Sequence, residues 1–187
     1  MRTFVLYSRG RTDSRFRLED LPSSGRMDLI CRCITSVLFL SYKMRKNTRI
    51  FVVLNGPPKP PVTICFNENS SFCPDERSIA LIIKKILSLK LDKEWKKFKN
   101  SLVSKKSFQE VIGELNGNFY VLHEKGKDVN EIKENPIFVL GDNKGIPKND
   151  EKFVLRKGEK ISLGKQSYLS SMCVSVLNWV CDREGIS

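Results

Sequence analysis

The sequence predicts an α/β fold, and three observations carry that reading. Short, strand-length apolar runs at residues 4–7, 50–54, 62–66, 119–122 and 137–140 alternate with segments of helical periodicity. Two apolar strands in the last third, 137–140 and 161–164, each end in a glycine-bearing turn, as strands do where an α/β sheet meets a ligand. With 187 residues and 40% hydrophobic content, the chain can bury a real core as a single domain, 1–187.

Taken in order, residues 4–7 form a first strand, followed by a connection rich in arginine (Arg9, Arg11, Arg15, Arg17). Pro22, Ser23, Ser24 and Gly25 make a turn that opens a helix over 26–42, where Leu29, Cys33, Val37 and Leu40 recur at spacings of 4, 4 and 3. The strand at 50–54 runs into Asn55, Gly56, Pro57, Pro58, Lys59, Pro60 and Pro61. That run reads as a stiff loop before the strand at 62–66, or as a ligand for a polyproline-binding domain. Pro74, Asp75 and Glu76 open a helix through Ile79, Ile82, Ile83, Ile86 and Leu87, with acids in the first turn as the helix dipole favours. Residues 84–106 then hold nine lysines against Asp92 and Glu94, with Trp95 and Phe98 among them. Such a segment either grips RNA or forms a solvated helix face anchored by its two aromatics. No internal repeat, low-complexity tail or dividing linker interrupts the chain.

The formal charge of +12 is the strongest compositional clue to a partner, because it raises affinity for phosphate through counterion release. RNA and DNA both satisfy it, although no helix-turn-helix or zinc-finger spacing appears. A membrane fits worst, since no apolar run approaches the ~20 residues a span requires. The N-terminal apolar stretch is too short for a signal peptide, so a cytoplasmic protein is expected. The six cysteines (31, 33, 65, 73, 173, 181) and the single His123 form no metal-ligand spacing. Free, mostly buried thiols and no metal are expected.

The C-terminal turns match neither Gly-x-Gly-x-x-Gly nor a Gly-Lys-Ser/Thr phosphate loop. Two readings remain open: ordinary βα turns, or a cradle for a ligand that offers a flat base and a sulfonium instead of a pyrophosphate.

At this point the motifs resemble a known family. Gly25-Arg26-Met27-Asp28-Leu29-Ile30-Cys31-Arg32-Cys33 is similar to the Gly-Arg-Leu-Asp-Leu-x-Cys-Arg-Cys signature of TrmY, the archaeal tRNA pseudouridine-54 N1-methyltransferases. Gly56 to Pro61, Pro74-Asp75-Glu76-Arg77-Ser78-Ile79-Ala80 and Leu140-Gly141-Asp142-Asn143-Lys144-Gly145-Ile146 resemble it too. So does the tail Ile161-Ser162-Leu163-Gly164 followed by Cys173, Asn178, Asp182 and Arg183. The resemblance covers nearly the whole chain, in order.

It implies a SPOUT-type, mostly parallel sheet with a C-terminal trefoil knot over about 120–187, a topology that composition alone never suggests. It further implies S-adenosylmethionine as cofactor, tRNA as substrate and a homodimer with the site near the subunit interface. Carried over by motif, the cofactor residues are Leu122, Leu140, Gly141, Gly145, Ile161, Leu163, Gly164, Lys165, Gln166, Ser167, Tyr168 and Cys173.

Pseudouridine N1 is a poor nucleophile until it loses its proton, so the reaction calls for a carboxylate and a cationic neighbour. Asp28, flanked by Arg26 and Arg32, supplies both within about a helical turn, as base or as substrate-orienting acid, with the arginines on phosphate or ring carbonyl. The same trio also reads as an ion-pair network at a helix start. The chain departs from the family where it often carries histidine, at Asn143, Met172 and Leu177, and has Lys165 near a usual proline. The resemblance therefore leaves room for a ribosomal RNA substrate, or for a basic RNA-binding protein without catalysis.

Overall fold

The computed structural model describes residues 1–129 and 132–186. Its eight strands form one sheet: β1 (Arg2–Ser8), β2 (Thr48–Leu54), β3 (Val62–Asn67), β4 (Lys96–Phe98), β5 (Ser101–Ser104), β6 (Asn118–Asp128), β7 (Pro136–Gly141) and β8 (Gly158–Ser162). Among the described residues five α-helices cover it: α1 (Met27–Leu38), α2 (Glu76–Leu87), α3 (Phe108–Glu114), α4 (Lys148–Leu155) and α5 (Ser170–Arg183). The spatial order is β4-β5-β3-β2-β1-β7-β6-β8. The run β2-β1-β7-β6-β8 is parallel, and β3, β5 and β4 extend it antiparallel.

Strands buried on both faces carry near-continuous apolar runs, and the alternation within each run sorts its residues between two cores. Phe4, Leu6, Ile50, Val52, Phe138 and Leu140 face α1, α2 and α5. Val5, Phe51, Val53 and Val139 face α3 and α4. Arg2, buried at the edge of the first layer, donates to Asn178 Oδ1 (2.6 Å), Asp182 (3.1 Å) and the Ile186 carbonyl (2.6 Å), which fastens the end of α5 to β1. Asn178 in turn donates to the Ser36 carbonyl at 2.8 Å, joining α5 to α1.

The strands expected at 4–7, 50–54, 62–66, 119–122 and 137–140 are present, and the proline run is a loop between β2 and β3. The strand expected at 161–164 runs instead from Gly158 to Ser162, because Leu163 and Gly164 leave the sheet. Three other expectations change. The first helix ends at Leu38, not at residue 42, because Phe39 turns extended and bridges to Met44. The lysine-rich segment is no helix beyond Leu87: it folds into the β4–β5 hairpin at the sheet edge. Trp95 and Phe98 explain why. Three residues apart, they would share a helix face, yet Trp95 packs on the α3 and α4 core and Phe98 on the other, as an odd spacing in extended chain requires. Finally, α3 and α4 add to the elements that the sequence pattern predicts. The first starts with a full capping box between Ser107 and Glu110.

Among the described residues no helix is long and apolar enough to cross a membrane.

Candidate functional site

Parallel strands β1, β7, β6 and β8 end on one side, and there a cleft of ≈ 730 Å³ opens. Its floor is the turn after β7. Gly141 allows that turn to close: a Cβ there would stand 2.4 Å from the Gly145 carbonyl carbon and 2.6 Å from the Ile146 nitrogen. Gly145 completes it at φ +70°, a left-handed conformation that suits glycine. Asp142, buried, fixes the turn from beneath: its carboxylate accepts from the Lys144 N–H (2.9 Å), the Arg9 N–H (2.8 Å) and the Arg9 guanidinium (2.6 Å). The same guanidinium reaches the Gly145 carbonyl at 3.1 Å, so β1's exit loop and the turn after β7 are one unit.

The opposite wall comes from an irregularity in β6. Its pairing with β8 slips between Leu122 and Lys127, and the intervening His123 and Glu124 line the cleft. Such bulges re-aim side chains beside functional sites. The Ser162 hydroxyl links this wall to the next, with its single O–H within reach of the Gly164 carbonyl (2.8 Å) and the Glu124 carbonyl (3.2 Å). Ser170 closes the circuit by donating to the Gly141 carbonyl at 2.6 Å where α5 begins.

Arg26 sits at the mouth. It caps α1 in the left-handed region (φ 60°, ψ 43°), a conformation that costs a side-chain-bearing residue roughly 1–2 kcal/mol. Its guanidinium holds Asp28 through two hydrogen bonds of 3.0 and 2.9 Å, and Arg32 adds a third at 2.6 Å. Burial tends to raise the Asp28 carboxyl, but the hydrogen bonds from Arg26 and Arg32 outweigh it and hold it below the usual carboxylate range. Both oxygens are thus occupied and their basicity is reduced. Cys173, where α5 meets the cleft, has its thiol pushed up to about 11 by burial, so it is a protonated packing group there.

Of the sequence-predicted cofactor residues, Leu122, Leu140, Gly141, Gly145, Leu163, Gly164, Gln166, Ser167, Tyr168 and Cys173 all line this one cleft. Ile161 lies beneath it in the core, and Lys165 is exposed outside the lining. Of the catalytic trio only Arg26 lines it: Asp28 is buried behind, and Arg32 faces a neighbouring groove that meets the cleft at Met172. Asn143 and Met172 also line the cleft, whereas Leu177 is fully buried, so the family histidine missing at that position is not a change in the lining. Sequence reasoning passed over Asp142 and Arg9. Their signal was Asp142's place inside the quoted motif, but nothing in the order of residues pairs it with an arginine 133 positions away.

An α/β sheet with a glycine-built cleft at its strand ends and Arg26 at its mouth defines a class, and similarity to known proteins says which. Residues 1–186 match the family described as "Putative SAM-dependent RNA methyltransferase", and the chain belongs to that family. Within it, the chain is 41% identical over 95% of its length (97% of the relative) to the tRNA (pseudouridine(54)-N(1))-methyltransferase of Thermococcus kodakarensis. It is 40% identical to the protein of that name from Methanocella arvoryzae, over 98% of this chain and the whole of the relative. The motif resemblance to the TrmY family therefore holds. In three dimensions the chain is similar to Archaeoglobus fulgidus Nep1 bound to S-adenosylhomocysteine, with a TM-score of 0.65 at 12% identity over 97% of both chains.

Proposed function

We propose that this protein transfers a methyl group from S-adenosylmethionine to N1 of pseudouridine 54 in the tRNA T-loop. The observation that carries the proposal is the convergence of the motif-derived cofactor residues on one cleft with Arg26 at its mouth, in a chain about 40% identical to relatives of that name. The cleft suits the cofactor in volume, within the ~300–1,000 Å³ of small-molecule sites. Leu122, Leu140 and Leu163 offer apolar walls to a base, and Gly141 and Gly164 expose backbone to polar groups.

When bound, the cofactor supplies an electrophilic methyl group. N1 of the pyrimidine would take that methyl and give up its proton to solvent water, the cofactor leaving as S-adenosylhomocysteine, and Arg26 at the mouth would stabilise the negative charge that builds on the ring. Asp28 is better suited to orienting Arg26 and Arg32 than to taking the proton, because both its oxygens already accept hydrogen bonds.

The described residues pack as one body around the sheet, which supports a single methyltransferase domain over 1–187. The SPOUT trefoil knot, over about 120–187, is part of the same proposal, as is a cytoplasmic location suited to six free thiols. A homodimer is supported by α5 and its N-cap, where Leu169, Met172, Val176 and Trp179 recur at helical spacing and are each about half exposed beside the cleft. Changing Val176 and Trp179 together to aspartate is expected to give a monomer by sedimentation at micromolar concentration and to lower methyl transfer. A monomeric wild-type protein under the same conditions would remove the dimer from the proposal.

The function is tested by mass spectrometry of a T-loop RNA bearing either pseudouridine or uridine, after incubation with protein and S-adenosylmethionine. One added methyl on the pseudouridine form alone is expected. No methyl despite cofactor binding would redirect the search to ribosomal RNA, and no cofactor binding would leave a non-catalytic RNA-binding protein.

A further inference from the structure

We infer that the RNA's phosphates dock on a platform built from the loops that follow β1 and β2, and not on the lysine-rich hairpin. The inference rests on the RNA-methyltransferase reading above and adds where on the surface the polyanion lies.

The hairpin has more lysines but the wrong place. Strand β4 is the sheet edge, five strand steps from β7, which at ~4.8 Å per step is about 24 Å from the cleft. Cations on and beside it are also neutralised within the protein: Lys96 on β4, and Lys93 and Lys106 flanking the hairpin. Lys93 pairs with Glu110 at 2.7 Å, Lys96 with Asp92 at 2.5 Å and Lys106 with Glu114.

The platform begins at the cleft itself, where Arg9 grips Asp142 and Gly145. The chain then runs past the mouth, with the Arg11 N–H donating to the Ser24 carbonyl one residue before the Gly25–Arg26 step. Thr12 fastens it to the proline loop: its N–H bonds the Pro57 carbonyl (3.1 Å), its hydroxyl donates to the Gly56 carbonyl (2.8 Å), and it accepts from the Lys59 N–H (2.8 Å). Lys105 joins from the end of β5 by donating to the Lys59 carbonyl. Lys84 supports the far end through the Phe16 carbonyl at 2.7 Å. The result is a braced surface carrying Arg11, Arg15, Arg17 and Lys59, on which Arg15 is 88% exposed and Arg17 and Lys59 are exposed. Between Arg9 and Leu18 the only acid is Asp13, which is shared by Arg11 and Arg15. A cationic surface held rigid by backbone bonds beside a catalytic mouth fits a folded RNA, whose phosphates must be positioned before one base is presented.

Two triple variants decide it: Arg15→Glu/Arg17→Glu/Lys59→Glu on the platform and Lys96→Glu/Lys97→Glu/Lys99→Glu on the hairpin. Each is titrated with a full-length tRNA transcript at several salt concentrations and, separately, with S-adenosylmethionine as a check on folding. The platform variant is expected to bind tRNA at least tenfold more weakly, with a shallower dependence of log affinity on log salt, while its cofactor affinity stays at the wild-type level. The hairpin variant is expected to stay within about twofold on both ligands. A loss on the hairpin equal to or greater than that on the platform, or an unchanged platform variant, would overturn the inference while wild-type methyl transfer still upheld the enzyme reading. Wild-type protein that bound cofactor but no tRNA would overturn both.

Discussion

Replacing Gly141 with alanine is expected to weaken S-adenosylmethionine binding by roughly 5–150-fold while leaving the protein folded. The added methyl group has nowhere to go, because the atoms it meets at 2.4–2.6 Å are the backbone of Gly145 and Ile146, not the end of a movable side chain. Overpacking of this kind costs roughly 1–3 kcal/mol. The turn relieves it by opening, and the cofactor-competent geometry is then reached only at that expense, which converts to the stated loss in affinity at ~1.4 kcal/mol per tenfold. Gly113 provides the matched control. It lies in α3 with nothing within 4 Å of the Cβ position, so Gly113→Ala should leave cofactor affinity unchanged and the melting temperature equal or higher. Isothermal titration of the two variants makes the comparison. Wild-type affinity in the Gly141 variant would mean that the turn after β7 is not the cofactor's cradle.

How much of this was legible in the sequence depends on the length scale of the interaction. Strands buried on both faces announce themselves by composition, and β1, β2, β3 and β7 are where their apolar runs place them. The hairpin at 96–104 did not announce itself, because lysines spaced along an exposed edge look like a solvated helix until the opposite burial of Trp95 and Phe98 is known. The helix α3 was within reach, since Ser107 and Glu110 spell a capping box. The cleft was read through motifs rather than physics. Glycine at a strand end permits a close approach, but only the folded chain shows that Gly141 is pressed against Gly145, or that Asp142 is clamped by an arginine from β1's loop. Long-range pairing leaves no local pattern, so Arg9 stayed hidden among its neighbouring arginines. Arg26 and Asp28, two residues apart, were visible together, although which of them faces the cleft was not.

That last distinction leads to a substitution whose effects on stability and activity should separate. Arg26→Gly removes the guanidinium and also the left-handed strain at φ 60°, which is worth roughly 1–2 kcal/mol. Against that gain stands the loss of two hydrogen bonds to the buried Asp28 carboxylate, which costs about 1–3 kcal/mol, although Asp28 keeps its 2.6 Å bond to Arg32. The two terms are of similar size, so the folded state should stay within about 2 kcal/mol of wild type. Methyl transfer should nevertheless fall about 10²–10³-fold if Arg26 stabilises the charge that develops on the pyrimidine ring. Arg26→Ala keeps the strain and loses the same charge, so it should match the glycine variant in kcat while melting lower. Asp28→Asn keeps much of the hydrogen-bonding shape but lets both arginines drift, and it should lower kcat with little change in cofactor affinity. Measured side by side, the three variants assign the role. Turnover within a few-fold of wild type in Arg26→Gly would make the arginine a helix cap that happens to sit at the mouth. A collapse confined to Asp28→Asn would return the proton to the carboxylate.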